Sequence, residues 1–298
     1  MTNAIATPEA NPTPAHAHLT LDPVSPAIGA EVNGIDLRET LDDTTVAALR
    51  AALVQHKVLF FRDQDITPAQ HVALARRFGQ LEVHPVFPHH ADHPELVLLG
   101  GTQASKAREN IYHSDVSWRD IPSMASMLRC VECPRSGGDT IWVNMEKAYA
   151  ELPQAVRAQL AGLEAVHDIM PSFGSRMSAE ERGANRVKFP AVIHPVVRTH
   201  PESGEKILYV NEGFTTHLAN FLSTGTFRVG FDFRYGELEL LQYLFRQAAI
   251  PEYQVRLRWA PNTIAFWDNR STQHYAIQDY FPAVRRMMRA TIIGDKPF

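Results

Sequence analysis

Three side chains in this sequence have the types and spacing that bind a catalytic metal ion. His113 and Asp115 stand two positions apart. In an extended strand, residues i and i+2 point to the same face, so this imidazole and carboxylate would converge on one point. The third ligand must come from elsewhere in the chain, and His274 follows a predicted strand and a polar turn. Two histidines and one carboxylate on one face of an octahedral ion suit non-haem Fe(II) oxygenases.

Two arginines near the C-terminus can serve the same site. Arg285 and Arg289 would share one face of a strand predicted over 285–291. Two guanidinium groups on an inward face would be unfavourable without anions. Arginine grips carboxylates and sulfonates through paired hydrogen bonds. The spacing therefore predicts one interior that holds a metal ion and two anionic molecules, unless both arginines face solvent or acidic partners.

The elements that must position these residues are mostly short strands. Strands are predicted at 58–61, 96–99, 124–131, 140–143, 191–198, 207–211, 253–259, 263–267 and 287–293. Helices are predicted after Asp42 or Asp43, from Thr67-Pro68 to Gly79, and over 146–162 and 237–249. Regular strand–helix alternation is missing, so the pattern favours a mainly β fold with peripheral helices, a β-sandwich or jelly roll.

Composition narrows the classes of protein. The chain has 298 residues, 45% hydrophobic and 21% charged, with a net charge of −4. Residues 1–18 predict a disordered tail and 19–298 a single domain. Scattered basic residues argue against nucleic acid. No apolar run is long enough for a membrane and no secretory leader pattern occurs, so a cytoplasmic protein is predicted.

The two cysteines, Cys130 and Cys133, have the C-x-x-C spacing of redox and zinc sites. Two thiols do not complete a four-ligand zinc site, and Cys130 falls in a predicted strand rather than at the start of a helix. We therefore interpret the pair as small residues on a core strand.

Several blocks resemble the taurine dioxygenase family of Fe(II)/2-oxoglutarate-dependent oxygenases. They occur in order over about 22–298, at 84–86, 113–117, 136–140, 194–201, 210–216 and 267–297. The last block is long and highly specific. The resemblance implies a double-stranded β-helix, Fe(II) as the metal, and 2-oxoglutarate and O2 as co-substrates.

The resemblance also implies a role for each matching residue. The iron ligands would be His113, Asp115 and His274, and Arg285 with Thr140 would bind the distal carboxylate of 2-oxoglutarate. Arg289 and His84 would grip the sulfonate of the substrate. Further substrate contacts would come from the Val116 amide and the pocket residues Phe87, Asn110, Phe173 and Phe214.

Three departures from the family pattern concern the substrate. Phe87 stands where the taurine enzymes carry Tyr, and a pocket Asn falls on Glu109 unless a shift of one residue places Asn110 there. Residues of about 220–235 form an aromatic insertion. The expected reaction is hydroxylation beside the sulfonate of taurine or a related small sulfonate, releasing sulfite and an aldehyde; the alternative substrate is an alkyl sulfate or aryloxyalkanoate. We expect a small anionic substrate and a homo-oligomer, a dimer or tetramer.

Two other functions use similar residues. A zinc hydrolase can have the same ligands, but it needs no co-substrate clamp at Arg285, and O2 independence would identify it. A non-catalytic metal-binding or anion-binding β-barrel would form no succinate with any substrate.

Overall fold

The computed structural model describes residues 19–101, 110–221 and 236–298. The predicted tail, Glu109 and most of the aromatic insertion lie outside the described residues. Within the described ranges, the strands are β1 Thr20–Pro23, β2 Ala30–Asn33, β3 Val58–Phe61, β4 Leu96–Leu99, β5 Ser123–Glu132, β6 Thr140–Asn144, β7 Glu164–His167, β8 Val192–Pro195, β9 Val197–Thr199, β10 Lys206–Leu208, β11 Thr215–Leu218, β12 Gln254–Leu257, β13 Ile264–Asp268, β14 Thr272–Ala276 and β15 Arg286–Ile293.

The helices lie mainly between and outside these strands. They are α1 Asp43–His56, α2 Pro68–Arg76, α3 Met145–Ala150, α4 Gln154–Leu160, α5 Met170–Phe173, α6 Ala179–Lys188 and α7 Leu238–Arg246. Asp42 caps α1, and Thr67 caps α2 in a capping box with Gln70. These are the starts that the sequence predicts. No helix in the described part of the chain has the length and apolar character needed to cross a membrane.

Two sheets face each other and hold a core between them. A seven-stranded sheet has the order β1-β2-β3-β13-β5-β15-β4, and a three-stranded sheet has the order β12-β6-β14. Phe60 of the first sheet lies 5.5 Å from Trp142 of the second, measured between ring centroids. Helices α1 and α2 cover the outer face of the large sheet through a second apolar cluster. The strand-rich fold with peripheral helices is confirmed.

Some predicted elements have different boundaries. The helix predicted over 146–162 is two helices, α3 and α4, because Pro153 has no backbone N–H and interrupts the helical ladder. The strand predicted over 191–198 is also two, β8 and β9, and the strand predicted over 207–211 ends at Leu208. Helix α6 was not predicted. None of its residues is buried, so it has no apolar stripe to reveal it.

Candidate metal centre and cavity

His113, Asp115 and His274 lie together, with one potential ligand atom from each within 4.8 Å of the others. The His113 Nε2 atom is 3.9 Å from the Asp115 Oδ1 atom. In the ranges 19–101, 110–221 and 236–298, this is the one group of three or more such side chains that can hold a metal ion. The sequence therefore identified the three residues that the fold brings together.

The geometry that joins them differs from the predicted strand. His113 makes a single antiparallel bridge to His274 of β14, with N–H donors at 3.1 and 2.9 Å from the opposite carbonyls. The chain then turns at Asp115. Val116 has φ of 49°, a strained conformation for a β-branched residue. The two imidazoles thus meet across a bridge, and a turn rather than a pleat brings in the carboxylate.

Hydrogen bonds and neighbouring charges prepare these side chains to bind a metal ion. The Nδ1 atom of His113 lies 2.8 Å from the Ile111 carbonyl, which only accepts, so Nδ1 carries a hydrogen and Nε2 is the ring nitrogen that faces Asp115. Burial lowers the pKa of His274 to about 3, which leaves this ring neutral. Burial alone would raise the pKa of Asp115, but the charge of Arg289 and a hydrogen bond from Ser126 outweigh it and hold that pKa well below its usual range. Two imidazoles and a carboxylate are the ligand set of one Fe(II) ion.

Asp115 is held by two residues that the sequence analysis missed. Asn269 accepts a hydrogen bond from the Asp115 amide at 2.7 Å and donates to its carbonyl at 2.9 Å. Ser126 donates to the carboxylate Oδ2 atom at 2.9 Å. Asn269 is fully buried and stands 154 residues from Asp115 along the chain. The sequence placed Asn269 in the polar turn before His274, but it held no signal that this side chain reaches Asp115.

We expect Asn269→Ala to weaken metal binding by about 10- to 100-fold, as loss of partners behind metal ligands commonly does. The change leaves the buried Asp115 amide without its acceptor, so the backbone that positions the carboxylate is held less firmly. Metal affinity measured by competition with a chelating dye tests this. Gln64→Ala is the matched control, because Gln64 also makes buried hydrogen bonds to the backbone, at Leu37 and Ile35, but lines no part of the cavity. Equal metal affinity in the two variants would contradict the prediction.

The candidate ligands face a cavity of about 270 Å³ whose lining also includes every other candidate site residue predicted from the sequence. These are His84, Phe87, Asn110, Val116, Thr140, Phe173, Phe214, Arg285 and Arg289. Asn110 is exposed and lines this cavity. Glu109, the other position considered for the pocket Asn, lies outside the described residues. Both arginines are buried, at 5% and 4% exposed, which confirms the inward orientation.

Arg285 lies beside Thr140 at one part of the cavity. Its Nη2 atom is 3.4 Å from the Thr140 hydroxyl, which also accepts from the Trp259 indole at 3.0 Å. Two glycines make room for Arg285. A Cβ on Gly100 would lie 1.9 Å from the Arg285 carbonyl oxygen, and one on Gly138 would lie 3.0 Å from its Cδ atom. The sequence contained Gly138 in a family block without revealing this contact.

Arg289 lies beside the candidate metal ligands. Its Nη1 atom donates to Asp115 Oδ1 at 2.6 Å. His84 lines the same region, and its Nδ1 atom accepts from the amides of Val86 and Phe87 at 3.2 and 3.4 Å. Burial, with the charge of Arg289, lowers the pKa of His84 to about 3. The neutral ring therefore carries its hydrogen on Nε2, a donor suited to an anion that Arg289 also contacts.

The sequence over residues 20–291 matches the profile of the taurine catabolism dioxygenase TauD, TfdA family. The chain belongs to the TauD/TfdA family. It is therefore an α-ketoglutarate-dependent dioxygenase that uses Fe(II), 2-oxoglutarate and O2. This confirms the family, the enzyme class and the cofactor that the sequence analysis expected.

TauD/TfdA relatives with different substrates match nearly the whole chain. An α-ketoglutarate-dependent sulfate ester dioxygenase of Pseudomonas putida is 36% identical, covering 96% of this chain and 93% of its own. An α-ketoglutarate-dependent 2,4-dichlorophenoxyacetate dioxygenase of Cupriavidus pinatubonensis is 32% identical, covering 92% and 97%. The solved structure of a taurine dioxygenase from Burkholderia xenovorans is 37% identical with a TM-score of 0.78, covering 94% and 90%.

Proposed function

We propose that this dioxygenase oxidises the carbon next to a sulfur oxyanion on a substrate with an apolar body, with alkyl sulfates as the first candidate class. The observation that carries the proposal is the composition of the cavity. Arg289 and His84 offer donors to an anion, while aromatic rings form the wall around them. Alkyl sulfates combine those two properties.

The apolar wall argues against a zwitterionic substrate. Phe173 lies 5.5 Å from Phe87 and 6.3 Å from Phe214 between ring centroids, so three aromatic rings form one continuous surface. Among the described residues that line the cavity, Asp115 is the sole carboxylate, and it is paired with Arg289. Binding taurine here would therefore move its ammonium group out of water to a place with no free anion beside it, which is energetically unfavourable.

Small sulfonates are the second candidate class. A sulfonate presents the same three terminal oxygens as a sulfate ester, so Arg289 and His84 would hold either group. The similarity to a solved taurine dioxygenase supports this reading. In both cases the proposed site also includes the Val116 amide and Asn110. The same similarity supports a double-stranded β-helix as the form of the facing sheets.

In the proposed reaction, His113, Asp115 and His274 hold Fe(II), and Arg285 with Thr140 holds the distal carboxylate of 2-oxoglutarate. Bound Fe(II) and its co-substrates supply the oxidation when they are present. Arg289 fixes the substrate anion, which determines the C–H bond that faces the metal. The aromatic wall excludes water from the reacting carbon.

The products follow from where the hydroxyl group is added. Hydroxylation of the carbon that carries the sulfate oxygen gives a hemiacetal sulfate. Cleavage of its C–O bond releases sulfate and leaves an aldehyde, while 2-oxoglutarate becomes succinate and CO2. A sulfonate would release sulfite from the corresponding hydroxylated carbon. Each turnover therefore yields one inorganic sulfur anion and one succinate.

We expect Gly138→Ala to raise the KM for 2-oxoglutarate by about tenfold, the effect of roughly 1.4 kcal/mol. The added Cβ would lie 3.0 Å from Arg285 and push the proposed co-substrate clamp aside. Gly204→Ala is the matched control, because Gly204 has a similar φ of 76° against 72° but no atom within 4 Å of the added Cβ. Steady-state kinetics with varied 2-oxoglutarate measure both. Equal shifts would mean that backbone strain, not contact with Arg285, causes the effect.

The substrate proposal is tested with anions that share one tail. Purified Fe(II)-loaded enzyme is given hexyl sulfate, hexanesulfonate, hexanoate or taurine, and succinate is measured. We expect hexyl sulfate to give the highest kcat/KM and hexanesulfonate to exceed taurine. Preference for taurine would contradict the apolar-body argument, and preference for hexanoate would contradict the sulfur oxyanion.

A further inference from the structure

A closed ring of buried hydrogen bonds lies behind the cavity wall and connects two of its segments. Asn211 donates from Nδ2 to the Ser117 hydroxyl at 3.0 Å, and Ser117 lies 3.1 Å from His167 Nδ1. His167 Nε2 lies 3.4 Å from the Thr215 hydroxyl, which accepts from the Asn211 amide at 3.0 Å. A neutral imidazole has one donor and one acceptor, so His167 closes the ring in either tautomer. Burial keeps that ring neutral by lowering the pKa of His167 well below its usual value.

The ring joins two turns that carry different residues of the cavity wall. Ser117 directly follows Val116, and Asn211 Oδ1 accepts from the Phe214 amide at 2.9 Å. Val116 and Phe214 belong to one apolar cluster that lines the cavity. Phe214 also lies 6.0 Å from His113 between ring centroids. Asn211 thus connects the turn after Asp115 with the turn that carries Phe214.

The hydrogen bonds of Ser117 help to hold Val116 in a strained backbone conformation. The left-handed conformation of Val116 is unfavourable for a β-branched side chain and persists only where neighbours over-determine it. Ser117 supplies such a restraint twice, through its hydroxyl to Asn211 and through its carbonyl to His194 Nε2 at 3.0 Å. All of these polar groups are buried, so losing one partner leaves another unsatisfied.

We propose that Asn211 is a positioning residue for the substrate subsite, acting through Ser117 to set the separation of the Val116 turn from the Phe214 wall. This inference rests on the proposed function only in taking that cavity as the substrate subsite. Asn211 does not itself line the cavity. Its contribution is therefore to substrate affinity, not to the binding of metal or 2-oxoglutarate.

The test compares Asn211→Ala, Ser117→Ala, the double variant and Asn220→Ala by steady-state kinetics. Asn220 is the matched control, because it bonds the backbone of Glu164 and Gly162 at 2.9 and 2.8 Å. These bonds lie beside a three-stranded sheet, β11-β7-β8, and Asn220 does not line the cavity. We expect Asn211→Ala to raise the substrate KM about tenfold while kcat and the KM for 2-oxoglutarate stay within about twofold. Ser117→Ala keeps the Asn211–Phe214 bond and should give a smaller shift in the same direction. The double variant should be no worse than Asn211→Ala alone, because both act through one contact.

Three outcomes would overturn the inference: additive effects in the double variant, an equal shift in Asn220→Ala, or parallel losses in kcat and in both KM values. Ser117→Ala removes a single oxygen, so its kinetics decide the question if Asn211→Ala folds poorly. The anion used is the best substrate of the wild-type enzyme. If that proves to be hexanoate, the proposed function fails, yet the ratio of variant to wild-type KM still decides the role of Asn211.

Discussion

Replacing His113 by Ala should abolish Fe(II)-dependent succinate formation and lower metal affinity by more than about 100-fold. Loss of a residue that hydrogen-bonds to a metal ligand commonly lowers metal affinity about 10- to 100-fold, and loss of a direct ligand should lower it further. His113 is the cleanest of the three to remove. Removing Asp115 would also leave Arg289 as a buried charge without its partner, which destabilises a protein by about 3–5 kcal/mol.

The control for this variant is another buried histidine. His71 is fully buried, and its Nε2 atom lies 3.1 Å from the Met127 carbonyl, outside the cavity. His71→Gln should retain one metal ion per chain, measured by elemental analysis after dialysis. A His113→Ala enzyme with normal metal content and full activity would refute the ligand assignment.

Exchanging each arginine for glutamine should damage the binding of a different molecule. Arg289→Gln should raise the substrate KM by about 10- to 100-fold and change the KM for 2-oxoglutarate by less than about threefold. Charge-assisted hydrogen bonds contribute about 1.5–3 kcal/mol, which converts to that range. Glutamine keeps a donor for Asp115 Oδ1, so the metal site should persist.

Arg285→Gln should show the opposite pattern, with weaker 2-oxoglutarate binding and a nearly unchanged substrate KM. Each variant is thus the control of the other, since both arginines are buried at similar exposure four residues apart. The absorbance of the complex of 2-oxoglutarate with the Fe(II) enzyme, recorded without O2, measures the affinity for 2-oxoglutarate separately from turnover. Equal damage to both ligands in either variant would mean that the two subsites are wrongly assigned.

Candidate site residues could be predicted where strand periodicity or short sequence spacing indicates their orientation. Strand periodicity predicted the inward orientation of Arg289, which is buried in β15 Arg286–Ile293, whereas Arg285 is buried one residue before that strand begins. The H-x-D triplet was correctly chosen for a partly wrong reason. His113 makes only one bridge, and Asp115 reaches the site through a turn with an unusual residue at Val116. Sequence periodicity cannot anticipate a conformation that only tertiary contacts maintain.

The residues that hold the site residues in place could not be predicted from the sequence, because their partners are distant along the chain. Asn269 acts on Asp115 across 154 residues, and Asn211 acts on Ser117 across 94. Neither residue type nor periodicity distinguishes these buried amides from turn residues. Helix α6 had a readable signal, since Ser178 and Glu181 form a capping box. The predictions of a single domain and a homo-oligomer stay predictions.

The ratio of products tests the central proposal most directly. Fe(II)-loaded enzyme is incubated with 2-oxoglutarate, O2 and hexyl sulfate, and succinate and inorganic sulfate are counted in the same sample. Oxidation at the carbon that carries the sulfate oxygen predicts one sulfate for each succinate, with loss of both in His113→Ala. Succinate without sulfate, or sulfate released without O2, would contradict it.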